Sequence, residues 1–171
     1  MRVLIVRHAI AEDRATFADA GLPDSERPLT ERGRQRMEQA AAGLRSVLPS
    51  IECIASSALV RARQTAEIIA AAYGKSQVQS IAELAPGGEA DDVVRWLNAQ
   101  SGVETAALVG HEPDLSLLVS YLLTGTYAAS VTMKKGAACL IEFTGDVEPG
   151  AGGLRWLLAP KHLRLLGGGS A

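Results

Sequence analysis

The first residues that could do chemistry are Arg7 and His8, which follow the unbroken apolar run Val3-Leu4-Ile5-Val6. A core strand has no use for either side chain, so both serve whatever lies beyond its end. Two further apolar runs end in the same manner. "IECIASS" closes on Ser56-Ser57, with Arg61 and Arg63 one helical turn later, and "TAALVGH" closes on Gly110-His111. Guanidinium groups pair bidentately with phosphate oxygens, and helix starts add backbone N–H groups and a positive dipole end. A histidine among them can attack phosphorus if its proton sits on the far ring nitrogen. No metal is expected, because two histidines without an HxxxH spacing or a clustered set of carboxylates make a poor zinc site. Each residue alone has an ordinary reading as a structural histidine or a solvated arginine. Arg63 is expected to be only that, since two residues along a helix point to nearly opposite faces.

The elements that must position these groups alternate between strand and helix. After "RVLIVR" comes an irregular polar stretch from Ala9 to Leu29, then "TERGRQRMEQAAAGLRSVL". Its apolar positions Met37, Ala40, Ala41, Leu44, Val47 and Leu48 fall at helical spacing, with Thr30 as N-cap and Pro49 beyond the end. A strand at "IECIASS" leads to the helix "ALVRARQTAEIIAAAYG", with Gly74 as its cap. A weaker strand is expected over residues 78–84 and a helix over 90–100. "TAALVGH" reads as a buried strand, and "PDLSLLVSYLLTG" as an apolar helix with Pro113 in its first turn. "ACLIEF" and "LRWLLAP" form a closing hairpin. This alternation gives an α/β fold, a three-layer α/β/α sandwich with a mainly parallel central sheet. In such sheets ligands bind outside the carboxyl ends of the strands, where Arg7, His8, Arg61 and His111 would converge.

Composition bounds the remaining options. The 171 residues suit one domain, read as 1–166 with a flexible 167–171 tail. With 47% hydrophobic and 21% charged residues the chain reads as soluble and globular. A formal net charge of -2 gives no reason to expect nucleic acid or an anionic membrane as partner. No apolar run would span a bilayer, and the N-terminus is not that of a signal peptide, so a cytoplasmic location is expected. Cys53 and Cys139 sit in apolar, strand-like contexts and read as reduced core thiols.

The ordered blocks "LIVRHA", "SSALVRARQTAE" and "LVGHEPDLS" resemble the RHG signature, the second phosphate-binding block and the second-histidine block of the histidine phosphatase superfamily. "RPLTERG", "ELAPGGE" and the length resemble its short, SixA-type phosphohistidine phosphatases. The resemblance implies a phosphoglycerate-mutase-like fold without a large cap insertion. It also implies that His8 is the phosphorylated nucleophile. Arg7, Arg61 and His111 would complete the phosphate pocket, and Arg27 would reach it from the loop. No cofactor is implied. Two departures are visible: Ala9 stands for the usual glycine, where a methyl could narrow the approach to phosphate, and Ala58 stands for a frequent proline. Glu83 is the nearest candidate for an acid that protonates a leaving oxygen. The acidic residues of the 9–29 loop, among them Glu12, Asp13 and Asp24, read either as a rim that repels polyanions or as solubilising charge. The function implied first is removal of phosphate from phosphohistidine on a protein, a phosphotransfer domain or a phosphocarrier. The alternatives are a small-molecule phosphomonoesterase of the same chemistry and a non-catalytic phosphate-binding module.

Overall fold

The computed structural model describes residues 1–128 and 131–169. Its strands are β1 (Arg2–Arg7), β2 (Cys53–Ser56), β3 (Gln79–Ser80), β4 (Thr105–Gly110), β5 (Ala138–Glu142) and β6 (Gly153–Leu158). Its helices are α1 (Arg14–Asp19), α2 (Glu31–Val47), α3 (Val60–Ala72), α4 (Ala90–Asn98), α5 (Asp114–Thr124) and α6 (Pro160–Leu166). The strands form one sheet in the order β3-β2-β4-β1-β5-β6. β1, β2, β3 and β4 run parallel, while β5 runs antiparallel to both β1 and β6.

The continuous apolar runs are explained by helices on both faces of the sheet. Along β1, Val3 and Ile5 face one core cluster while Leu4 and Val6 face the other, as a two-residue side-chain period requires. The first cluster is completed by α4 and α5, through Val93, Leu97, Leu115, Val119 and Leu122. The second is completed by α2, α3 and α6, through Met37, Leu44, Ala66, Ile69 and Leu163. The expected three-layer sandwich is therefore present. Cys53 and Cys139 are free thiols within it.

α2, which follows β1, lies on one face, and α5, which follows β4, lies on the other. β1 and β4 are neighbours in register, with Arg7 opposite Gly110. The chain thus leaves two adjacent parallel strands towards opposite faces, which opens a crevice between their carboxyl ends.

Some elements differ from the sequence reading. The strand expected over 78–84 is reduced to Gln79–Ser80, followed by a single 3₁₀ turn at Ala82–Leu84. Ile81 and Leu84 are both buried, and a spacing of three suits a turn that tucks both inward. The fourth helix stops at Asn98 rather than at 100. The 9–29 segment is not wholly irregular, because it contains α1, capped by the Asp13 carboxylate accepting from the Thr16 N–H at 3.0 Å. Its two ends pair through the Ala11–Leu29 bridge. Gly33 lets the segment lie on α2: a Cβ there would stand 2.0 Å from the Ile10 carbonyl oxygen. α6 follows β6 at once, with Pro160 in its first turn.

Candidate active site

The backbone at the sheet edge sets the site. The His8 N–H donates to the Gly110 carbonyl at 3.1 Å, and the Ser57 N–H donates to the Val109 carbonyl at 3.1 Å. This locks the three strand ends at one level. The cleft there has a volume of about 660 Å³. Arg7, His8, Arg27, Arg61 and His111 all line it. Sequence reasoning placed each of these five at one site, and the fold brings them together.

His8 is 6% exposed, and its Nδ1 lies 2.8 Å from the Ala9 carbonyl oxygen. A carbonyl can only accept, so the proton belongs on Nδ1 and the lone pair on Nε2. Burial, reinforced by the charges of His111, Arg61 and Arg7, lowers its pKa to about 3 against the opposing Ala9 hydrogen bond. The imidazole is therefore neutral at physiological pH. His111 lies with its ring centroid 5.1 Å from that of His8. Its Nε2 is 2.6 Å from the Ser57 hydroxyl, while its buried Nδ1 has no partner. Burial, then Arg61, Arg27 and Arg7, lower its pKa to about 4, against an opposing pull from Asp24.

The arginines are anchored from behind. Arg61 is 2% exposed; its Nη1 donates to the Asp24 carbonyl at 2.8 Å and its Nη2 lies 3.1 Å from the Asp24 carboxylate. Arg27 Nε donates to the same carboxylate at 2.8 Å and Nη1 donates to the Glu12 carbonyl at 2.8 Å. Arg14 adds a weaker contact at 3.4 Å. Arg7 Nη1 donates to the Met133 carbonyl at 2.7 Å. The Nε atoms of Arg7 and Arg61 are buried without a protein partner. Two cationic side chains that each keep an unsatisfied buried N–H suit an incoming oxyanion. Arg63 is exposed and faces Glu67 at 3.8 Å, away from the cleft, as its helical phase predicted.

Several features were missed or misread in the sequence. Asp24, read as part of a repelling rim, instead pairs with Arg14, Arg27 and Arg61. Glu112 lines the cleft, and its Oε1 accepts from the Ser116 hydroxyl at 2.7 Å and the Met133 N–H at 3.1 Å. Lys135 also lines it, because the Gly136 N–H donates to the carbonyls of Arg7 and His8 at 3.0 and 3.2 Å. The Ala9 methyl does not narrow the approach to phosphate. Ala9 packs into the core cluster of α2 and α3 and is absent from the cleft lining. Glu83 is not among the residues of the His8 cleft either; it lines an adjoining pocket that shares His111. Among the described residues, no group of three or more His, Cys, Asp and Glu side chains is arranged to hold a metal ion.

A neutral imidazole beside converging guanidiniums, at the switch point of the parallel part of the sheet, suits phosphoryl-transfer chemistry. The sequence matches the family model of the histidine phosphatase superfamily (branch 1) over residues 3–86. An uncharacterized protein from Picosynechococcus sp. is 37% identical, over 79% of this chain and 81% of that protein. The phosphohistidine phosphatase SixA of Escherichia coli (strain K12) is 29% identical, over 96% of this chain and 98% of the relative. A solved structure of the protein histidine phosphatase SixA complexed with tungstate superposes with a TM-score of 0.79 at 29% identity, covering 94% of this chain and 97% of that one. The chain belongs to the histidine phosphatase superfamily, as a SixA-like phosphatase.

Proposed function

We propose that this phosphatase removes phosphate from phosphohistidine on a partner protein, a phosphotransfer domain or phosphocarrier, without a cofactor and in the cytoplasm. The observation that carries the reading is the commitment of His8 Nδ1 to the Ala9 carbonyl, which leaves the Nε2 lone pair as nucleophile among Arg7, Arg61 and His111. In the first step Nε2 attacks phosphorus, the bond to the leaving nitrogen breaks, and a phosphoramidate forms on His8. Arg7 and Arg61 hold the equatorial oxygens, Arg27 adds charge from the loop, and His111 stabilises the transition state. In the second step water attacks phosphorus, the His8–phosphorus bond breaks, and the water proton leaves with phosphate. That tungstate, itself a tetrahedral oxyanion, binds the solved relative supports the same chemistry here.

The leaving group favours phosphohistidine over a phosphate ester. An alkoxide needs a positioned acid, and general acid catalysis is typically worth about 10²–10⁴-fold. Asp13 lines the cleft, but its hydrogen bonds to Thr16 hold its carboxyl below the usual range, so it is a poor proton donor. Glu83 stands in the adjoining pocket. A protonated phosphoimidazole departs as neutral imidazole, whose conjugate acid has a pKa of about 6.5, and needs far less help. The test compares kcat/KM for a phosphohistidine-labelled carrier protein with values for sugar phosphates and phosphoserine peptides, in the wild type and in Glu83→Gln. The carrier should win in both proteins. A preference for a metabolite ester, lost in Glu83→Gln, would make the enzyme an acid-assisted small-molecule phosphatase.

A further inference from the structure

Beside the phosphate cleft lies a second pocket of about 200 Å³, and His111 lines both. Its volume accommodates one side chain and little more. Leu84, Val93 and Leu118, all buried in the core, supply apolar walls. Glu83, Glu89 and Asp114 supply negative charge, and no lysine or arginine lines the pocket. Asp114 is partly satisfied by the Gly87 N–H at 3.0 Å. Among the described residues the carboxylates of Glu83 and Glu89 have neither an ion pair nor a hydrogen bond. Tyr127 adds an aromatic face, its ring stacked on Tyr121 at 4.3 Å between centroids.

The pocket is pre-formed. The Gly88 N–H donates to the Ala85 carbonyl at 2.9 Å, and a Cβ on Gly88 would stand 2.1 Å from the Glu83 carbonyl oxygen. The loop therefore closes this tightly only with glycine at position 88. At the boundary between the two spaces His111, 4% exposed, keeps a buried Nδ1 without a partner. His111 thus joins the two spaces.

We infer that this pocket is a subsite for an aliphatic cationic side chain, lysine or arginine, that the protein substrate carries beside its phosphorylated residue. The inference rests on the proposed action on a phosphorylated protein and adds a determinant of specificity to it. The apolar walls suit the methylene stem, while the carboxylates and the tyrosine ring suit the charged head. One space thus asks for an anion, and its neighbour, joined to it through His111, asks for a cation. A sugar phosphate carries no such pair, whereas a protein surface can.

The experiment uses three probes: free phosphohistidine, a phosphohistidine peptide with flanking lysines, and the same peptide with norleucine in their place. Wild-type enzyme should favour the lysine peptide by about fivefold in kcat/KM, the upper range of a solvent-accessible ion pair. Glu89 caps α4 without a side-chain hydrogen bond, so Glu89→Lys should fold normally. It should remove most of that preference while leaving turnover of free phosphohistidine unchanged. Equal turnover of the two peptides by the wild type, or an intact preference in Glu89→Lys, overturns the subsite. If free phosphohistidine is hydrolysed while the peptides are not distinguished, only the subsite fails. If no phosphohistidine probe is hydrolysed, the proposed function fails with it.

Discussion

Replacing Asp24 by asparagine keeps the shape of the side chain, removes its charge and leaves an oxygen for only one of Arg61 and Arg27. Asparagine offers one acceptor oxygen where aspartate offers two, so one of the two hydrogen bonds between charged groups, worth about 1.5–3 kcal/mol, is lost. The Asp24 side chain is 40% exposed, and solvent screening brings this to about 1–2 kcal/mol. The Arg14 contact, between a 73% exposed guanidinium and the same carboxylate, adds little. For a chain of this length the melting temperature should fall by about 2–8 °C. The informative readout is the same melt with tungstate. An oxyanion in the cleft would supply the negative charge that Asp24 no longer gives, so the ligand-induced rise in Tm should be larger in Asp24→Asn than in the wild type. An equal rise in both proteins would refute the reasoning, because the carboxylate and the oxyanion would not be sharing the same guanidiniums.

His8→Ala should fold and have no turnover, and wild-type enzyme quenched during turnover should carry acid-labile label on His8; label on Ser56 or Ser57 would contradict the assignment. Arg61→Lys should lose about 10- to 150-fold in kcat/KM, the worth of a hydrogen bond between charged groups, whereas Arg63→Ala should change it little. The folded pKa values of His8 and His111, about 3 and about 4, lie below the unfolded value of about 6.5. Their contribution to stability is therefore complete above pH 6.5 and is lost as the pH falls towards 4 and 3, where the unfolded chain binds more protons. Urea melts between pH 7 and pH 4 should show this slope, and His111→Gln should flatten it.

What could be read from the sequence depended on burial. β1, β2 and β4 announced themselves because each is apolar on both faces, and α2 and α5 because their buried positions recur at helical spacing. α1 gave no signal because none of its residues is buried, so no apolar stripe marks it. α6 has only seven residues and buries Leu163 and Arg164 alone, too few for a period. The same division holds in the site. Arg7, His8, Arg61 and His111 stand at strand ends or in the helical turn after one, where chain direction alone fixes their convergence. Asp24 arrives by a loop, and its partners cannot be guessed from spacing. Lys135 could have been found. β5 is antiparallel to β1, so the residues that precede it must lie at the carboxyl end of β1, beside His8.

Two carboxylates hold the cationic pocket in shape through its side chains and backbone. Asp24 fixes Arg27 and Arg61 from one side. Glu112 fixes the Met133 N–H from the other, and the Met133 carbonyl receives Arg7. Neither carboxylate hydrogen-bonds the buried Nε atoms of Arg7 and Arg61, which keep their donors unpaired. The guanidiniums are thus aimed before phosphate arrives, and their alignment costs nothing at the moment of reaction. This arrangement also explains how the site tolerates so much positive charge around a neutral histidine. Arg7, Arg14, Arg27 and Arg61 all crowd Lys135, whose ammonium is destabilised first by partial burial and then by those arginines. Without Asp24 the repulsion would fall on buried side chains that cannot move to water. The carboxylate of Asp24 is spent on Arg27 and Arg61, and in the proposed reaction the phosphoryl group meets the donors that it leaves unpaired.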